Sequence, residues 1–132
     1  MNVFLNSQQI LVIHDYVIQE TGGTHGLRDP QALESAVGRP SSGFSGSLIY
    51  SDVFSQSAAL IESLMLNHDF VDGNTRAAAT AAGTALSMNR WKLTATNQAL
   101  IDLTYAVADG NLRPSIAEIA SWFEAQTVKR DI

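Results

Sequence analysis

His68, Asp72 and Arg76 stand at intervals of four, with Phe70, Gly73, Asn74 and Thr75 between them. Histidine is the side chain whose unperturbed titration suits a general base near neutrality, so His68 is the candidate catalytic base. Asp72 is a candidate Mg²⁺ ligand, because that ion takes one or two carboxylates together with substrate phosphates. Gly73 and Asn74 read as a tight turn, with Asn74 suited to N-cap the helix that the alanine-rich residues 77–85 announce. A turn opening a helix aims backbone N–H groups and the positive end of the macrodipole at one point, which suits a phosphate. Arg76 in the first turn opposes that dipole unless an anion sits between, and a guanidinium fork grips phosphate oxygens. Gly73, Asn74, Thr75 and Arg76 are therefore the candidate residues for binding a phosphorylated cofactor, and Arg76 joins His68 in the candidate catalytic set. Taken singly, each residue has a plainer role: His68 as a helix-end residue, Asp-Gly-Asn as an ordinary turn. A metal pair made of His68 and Asp72 lacks a third ligand at suitable spacing.

The elements that must position this segment are helical. Asn6 or Ser7 caps a first helix with Ile10, Leu11, Val17 and Ile18 inward, and Gly22, Gly23 and Gly26 break it. Asp29-Pro30 restarts with an N-cap and a proline at the first helical position, placing Leu33 and Val37 inside. Arg28-Asp29 serves either as that cap with a neighbouring charge or in the site itself. Residues 41–50, rich in Ser and Gly, read as a surface loop, either a solvated linker or a docking segment for a target. Ser51 or Asp52 caps a helix carrying Phe54, Ala58, Ile61, Leu64 and Met65, which delivers Asn67 and His68 at its end. Phe70 reads as a core anchor. Arg90–Leu93 forms a brief extended link. Thr94 or Thr96 opens a helix with Leu100, Leu103, Tyr105 and Ala106 for the core. Ser115 and Glu118 form a capping box for a last helix presenting Ile116, Ile119, Trp122 and Phe123. His14 and His25 are expected at the surface, and Trp91 and Trp122 in the core or in a groove for a partner segment. The expectation is an all-α, compact six-helix bundle in one domain, residues 1–132, with the active loop at the start of a central helix.

Composition narrows the partners. Apolar residues make up 45% and charged residues 16%, enough to build a core. Without cysteine there is neither a disulfide nor a thiolate metal site. Net charge is −5 and the pI about 4.9, against nucleic-acid binding by phosphate neutralisation. No apolar run reaches bilayer-spanning length and no signal peptide is evident, so a soluble, cytoplasmic protein without membrane contact is expected.

Together, His68, Phe70, Asp72, Gly73, Asn74 and Arg76 resemble the signature of the Fic/Doc family, His-x-Phe-x-Asp/Glu-Gly-Asn-x-Arg. Gly22-Gly23, Gly26-Leu27-Arg28-Asp29, Leu33-Glu34-Ser35-Ala36-Val37, Arg39-Pro40 and Ala58-Ala59-Leu60 look like its Doc ("death on curing") branch. The resemblance implies a toxin of a toxin–antitoxin pair that uses ATP and Mg²⁺ to modify a hydroxyl on a target protein. His68 would be the base, Asp72 the Mg²⁺ ligand, Gly73 and Asn74 the anion cradle and Arg76 the phosphate clamp. In the Doc branch the γ-phosphate goes to a threonine of elongation factor Tu, which arrests translation; most Fic members instead transfer AMP. A silent binding member of the fold is the remaining alternative. Ala79 stands where AMP-transferring members carry a second arginine, as in Doc. Thr75 matches neither branch, which have Lys or Gly there, and Asp69 replaces a common proline with no evident role for ATP. None of Glu20, Glu34, Glu62, Glu118 and Glu124 fits the family's self-inhibitory Ser/Thr-x-x-x-Glu-Gly/Asn pattern, so inhibition is expected from an antitoxin in trans.

Overall fold

The computed structural model describes residues 2–130. Six α-helices carry the fold: α1 (Ser7–Thr21), α2 (Pro30–Gly38), α3 (Val53–Asn67), α4 (Asn74–Met88), α5 (Asn97–Val107) and α6 (Ile116–Ala125). Local chemistry starts most of them. The side chains of Asn6, Asp29, Asp52, Thr96 and Ser115 each accept a backbone N–H three residues on, which satisfies a donor that the helix itself cannot. Asn6 with Gln9, and Ser115 with Glu118, close full capping boxes.

The core lies between α3 and its neighbours. Helix α3 is apolar nearly all round and packs on α2, α4, α5 and α6, as expected of a helix at the centre of a bundle. On α4, the buried Ala77, Ala78, Ala81 and Ala82 replace bulk with close approach, so that α1, α3 and α5 all reach its backbone. Ile10, Leu33, Ile61, Leu86, Val107, Ile119 and Phe123 fill the space that remains. Each such side chain contributes about 1.5–3 kcal/mol by leaving water.

Two expectations are corrected, and the extended link at Arg90–Leu93 is borne out and gains a pairing partner. Residues 41–50 are not irregular throughout: a 3₁₀ turn (Arg39–Ser41) leads into a hairpin of β1 (Gly43–Phe44) and β2 (Ser47–Leu48). The stretch after α4 is a strand, β3 (Trp91–Leu93), paired antiparallel with β4 (Thr127–Lys129). Tyr105 is 61% exposed rather than in the core. Trp91 and Trp122 are half-buried; Trp91 packs edge-on against Phe54 and lies under the Lys129 ammonium. Among the described residues, no helix is long and apolar enough to cross a membrane.

Candidate active site

Helix α3 ends on His68, whose φ of 50° puts a non-glycine residue in the left-handed region. That position commonly takes glycine, because a side chain there costs roughly 1 kcal/mol or more. Arg28 holds it. Its Nε donates to the carbonyl of His68 at 2.6 Å and its Nη2 to that of Asn67 at 3.1 Å, placing a cation at the negative end of α3. The Asn67 side chain donates in turn to the carbonyl of Ala32 at 3.0 Å. Asp29 is indeed the cap of α2, accepting from Ala32 N–H, and Arg28 is a clamp on the His68 backbone.

The loop after His68 is held from beneath by the α1–α2 connection. Arg28 and Asp29 N–H both donate to the carbonyl of Asp69, at 2.8 and 3.1 Å, and Val71 N–H donates to that of Gly26 at 3.0 Å. Leu27 and Phe70 are thus paired antiparallel. Phe70 is the buried anchor that its apolar ring predicts. Its ring lies flat on that of His14, with centroids 3.8 Å apart and planes 5° from parallel. His14 is therefore no surface residue; it is 2% exposed, and its Nε2–H donates to the carbonyl of Asp72 at 2.7 Å. A carbonyl only accepts, so this contact fixes which ring nitrogen carries the proton.

Asn74 does not cap α4. Its carboxamide turns back onto Phe70, accepting that residue's N–H at 3.1 Å and donating to its carbonyl at 2.9 Å. The loop is stapled shut and Gly73 takes the N-cap position with φ 75°. A Cβ at Gly73 would lie 2.8 Å from Ile18 Cδ1, so both conformation and space require glycine. Asp72 is oriented by two backbone donors, Gly73 N–H on Oδ1 at 2.9 Å and Thr24 N–H on Oδ2 at 3.1 Å. Gly23 keeps that approach open, since its Cβ would stand 2.6 Å from Oδ2.

The result is a helix start without a side-chain cap. The first N–H of the α4 segment with a main-chain partner is that of Ala77, on Gly73; among the described residues those of Asn74, Thr75 and Arg76 have none. Arg76 likewise forms no ion pair among the described residues and is exposed. His68, Asp72, Gly73, Asn74, Thr75 and Arg76 all line one cleft of about 450 Å³, with Thr21, Met65 and Tyr105 on its other sides. The candidate catalytic, metal and cofactor-binding residues are thus brought together, whereas Phe70, Asp69 and the 41–50 segment lie outside the cleft lining. Through Thr21 and Arg76 it adjoins a larger cleft of about 850 Å³ between α1, α4 and α5, where Ala79 also lies. The described residues include no cluster of three or more His, Asp or Glu able to hold a metal by themselves. The Asp72 carboxylate fits Mg²⁺ in a narrower way: each oxygen takes one N–H and keeps acceptor capacity, as suits an ion that arrives with phosphates and water.

Sequence reasoning missed the supports. His14 carried a signal, because it shares the spacing of Ile10, Val17 and Ile18 on one helix face. Asp69 carried none. It is fully buried, neither carboxylate oxygen has a hydrogen-bond partner among the described residues, and its carboxyl is pushed up to about 6. Burial is the main cause; the Asp29 charge adds to it and Arg28 opposes it.

Comparison with known proteins agrees with this geometry. A family model described as Fic/DOC family matches residues 4–86, from before α1 to near the end of α4. The chain is 36% identical over 95 residues to Toxin Doc of Mycolicibacterium smegmatis, covering 72% of this chain and 71% of that protein. With Protein kinase doc of Escherichia phage P1 it shares 28% identity over 116 residues, 88% of this chain and 89% of the relative.

Proposed function

The chain belongs to the Fic/DOC family, and from that premise we propose that it is a toxin transferring phosphate from ATP to a hydroxyl of a target protein. The observation that carries this reading is the uncapped start of α4, whose first N–H groups and Arg76 have no partner among the described residues and line the cleft that also holds His68. Phosphate oxygens complete both groups at once: they accept the free N–H donors, and they separate the guanidinium from the positive helix end. His68, at the rim, takes the proton of the incoming hydroxyl as its oxygen bonds to the γ-phosphorus, and ADP departs. Asp72 would hold Mg²⁺, which would supply charge neutralisation of the phosphates. Gly73, Asn74 and Phe70 keep the cradle in shape, while Thr75 offers the phosphates a hydroxyl donor.

Phosphate rather than AMP is favoured by Ala79. That position, buried on α4, carries no arginine of the kind AMP-transferring members have there; the other arginines of the larger cleft, Arg90 and Arg130, come from beyond α4. The name of one relative, a protein kinase, supports the same reading. The target in this reading is a threonine of elongation factor Tu, and the exposed hairpin, with Phe44 84% in solvent, is a surface on which it can dock. An antitoxin segment acting in trans has the larger cleft available, since that cleft shares Thr21 and Arg76 with the site. The test is incubation with elongation factor Tu and ATP labelled separately at the α and γ positions. Label from the γ position alone is expected; label from the α position alone would assign AMP transfer instead.

A further inference from the structure

The peptide between Asp72 and Gly73 carries the turn that opens α4, and its own residues do little to fix it. Glycine accepts many backbone conformations, so the plane of this peptide can rotate unless something outside the turn holds it. His14 on α1 does so. Its ring is 2% exposed, lies flat on Phe70 and donates Nε2–H to the Asp72 carbonyl at 2.7 Å. Phe70 is held in turn through both backbone groups by the Asn74 carboxamide, so the donor rests on a fixed support. The carbonyl and N–H of one trans peptide point in opposite directions. With the carbonyl turned to His14, the Gly73 N–H is turned the other way, onto Asp72 Oδ1 at 2.9 Å. Oδ2 takes the Thr24 N–H at 3.1 Å. One of the two donors that orient the carboxylate is therefore set by a ring bonded to the carbonyl behind it.

We propose that His14 is a positioning residue for the Asp72 carboxylate, aiming it at a divalent cation by locking the plane of the 72–73 peptide. The consequence for the cation rests on the reading of Asp72 as the Mg²⁺ ligand; the locked plane rests on the contacts alone. An apolar residue would fill the same face of α1, as Ile10 and Ile18 do, but would leave the plane unheld. Groups that orient a metal ligand from behind commonly account for about 10–100-fold in metal affinity.

The test compares His14→Gln, which keeps an N–H donor, with His14→Phe, which keeps a ring to stack and loses the donor. Two readouts are taken on the intact chain. One is the Gly73 amide signal by NMR without ligand; the other is the factor by which Mg²⁺ tightens ATP binding. In His14→Phe the Gly73 signal is expected to leave its wild-type position. The Mg²⁺ factor should fall by about tenfold there, with metal-free ATP binding unchanged. His14→Gln should keep both readouts near wild type. Ile10→Ala, from the same face of α1, should lower the melting temperature and leave both alone. An unmoved Gly73 signal in His14→Phe, or equal losses in His14→Gln or Ile10→Ala, would make His14 a packing residue and overturn the proposal. So would an unchanged Mg²⁺ factor in His14→Phe where Asp72→Asn lowers it. Should His14→Phe not fold, the wild type still decides: long-range ¹⁵N–¹H spectra must show the proton on Nε2, and a bare Nε2 overturns the proposal. The metal reading fails separately, by a Mg²⁺ factor that Asp72→Asn leaves unchanged while Gly73 still responds to His14→Phe.

Discussion

Helices α4 and α6 begin on opposite plans. In α6, Ser115 accepts the N–H of Glu118 at 3.1 Å and the Glu118 side chain accepts that of Ser115 at 2.9 Å, so the end is closed by its own sequence. The Ser115 contacts also hold the Glu118 carboxyl below the usual range, the sign expected of an acid at a positive helix end. In α4 the one side chain placed to cap, Asn74, faces away, a cation occupies the first turn, and the residues whose N–H groups have no partner among the described residues line a cleft. The first arrangement is complete as a structure. Under the proposed function an anion completes the second, and stability is then given up at the place where binding is gained.

Separate measurements of binding, turnover and stability can break this contrast. The largest effect is expected from His68→Ala, which should lower transfer by about 10²–10⁴-fold, the usual worth of a positioned base, with Mg²⁺–ATP affinity unchanged. Turnover kinetics and nucleotide titration read the two quantities; unaltered transfer would detach the chemistry from this end of α4. Arg76→Ala should act with opposite signs. Nucleotide binding is expected to weaken by about 1.5–3 kcal/mol, the range for hydrogen bonds to charged groups. The unliganded protein should gain about 0.3–1 kcal/mol, because a cation leaves the positive helix end. A thermal melt showing a loss of stability instead would make Arg76 a structural residue. Smallest is Ser115→Ala, expected to cost ~1 kcal/mol in a denaturant melt while leaving nucleotide affinity alone. A change of affinity there would mean that the two helix starts are not independent.

What the sequence reveals and what it hides divides by range. Asp29-Pro30 and Ser115-x-x-Glu118 are readable because a cap is decided within one turn, and the structure has both. The helix faces follow from spacing, which is how Ile10, Leu33 and Ile61 fall inside. The β3–β4 pair is hidden because each strand is too short to show alternation and its partner lies far along the chain. In the site, the lining residues could be named because their chemical types are uncommon together. Their supports could not: that Asn74 turns to Phe70, that His14 carries the Asp72 carbonyl and that Asp69 is sealed in are all outcomes of packing between distant segments. A capping asparagine and a stapling asparagine are the same letter. Only the backbone around it decides.

The antiparallel pairing of Leu27 with Phe70 has a consequence for anyone wishing to move this chemistry elsewhere. The segment from His68 to Arg76 looks like a portable cassette, but it is only the upper ply of a two-ply loop. The lower ply, with Gly23 and Thr24 under Asp72 and Gly26 and Arg28 under the backbone, is encoded between α1 and α2. A graft of the upper ply alone would carry the reactive groups without the hydrogen bonds that aim them. The smallest transferable unit is the pair.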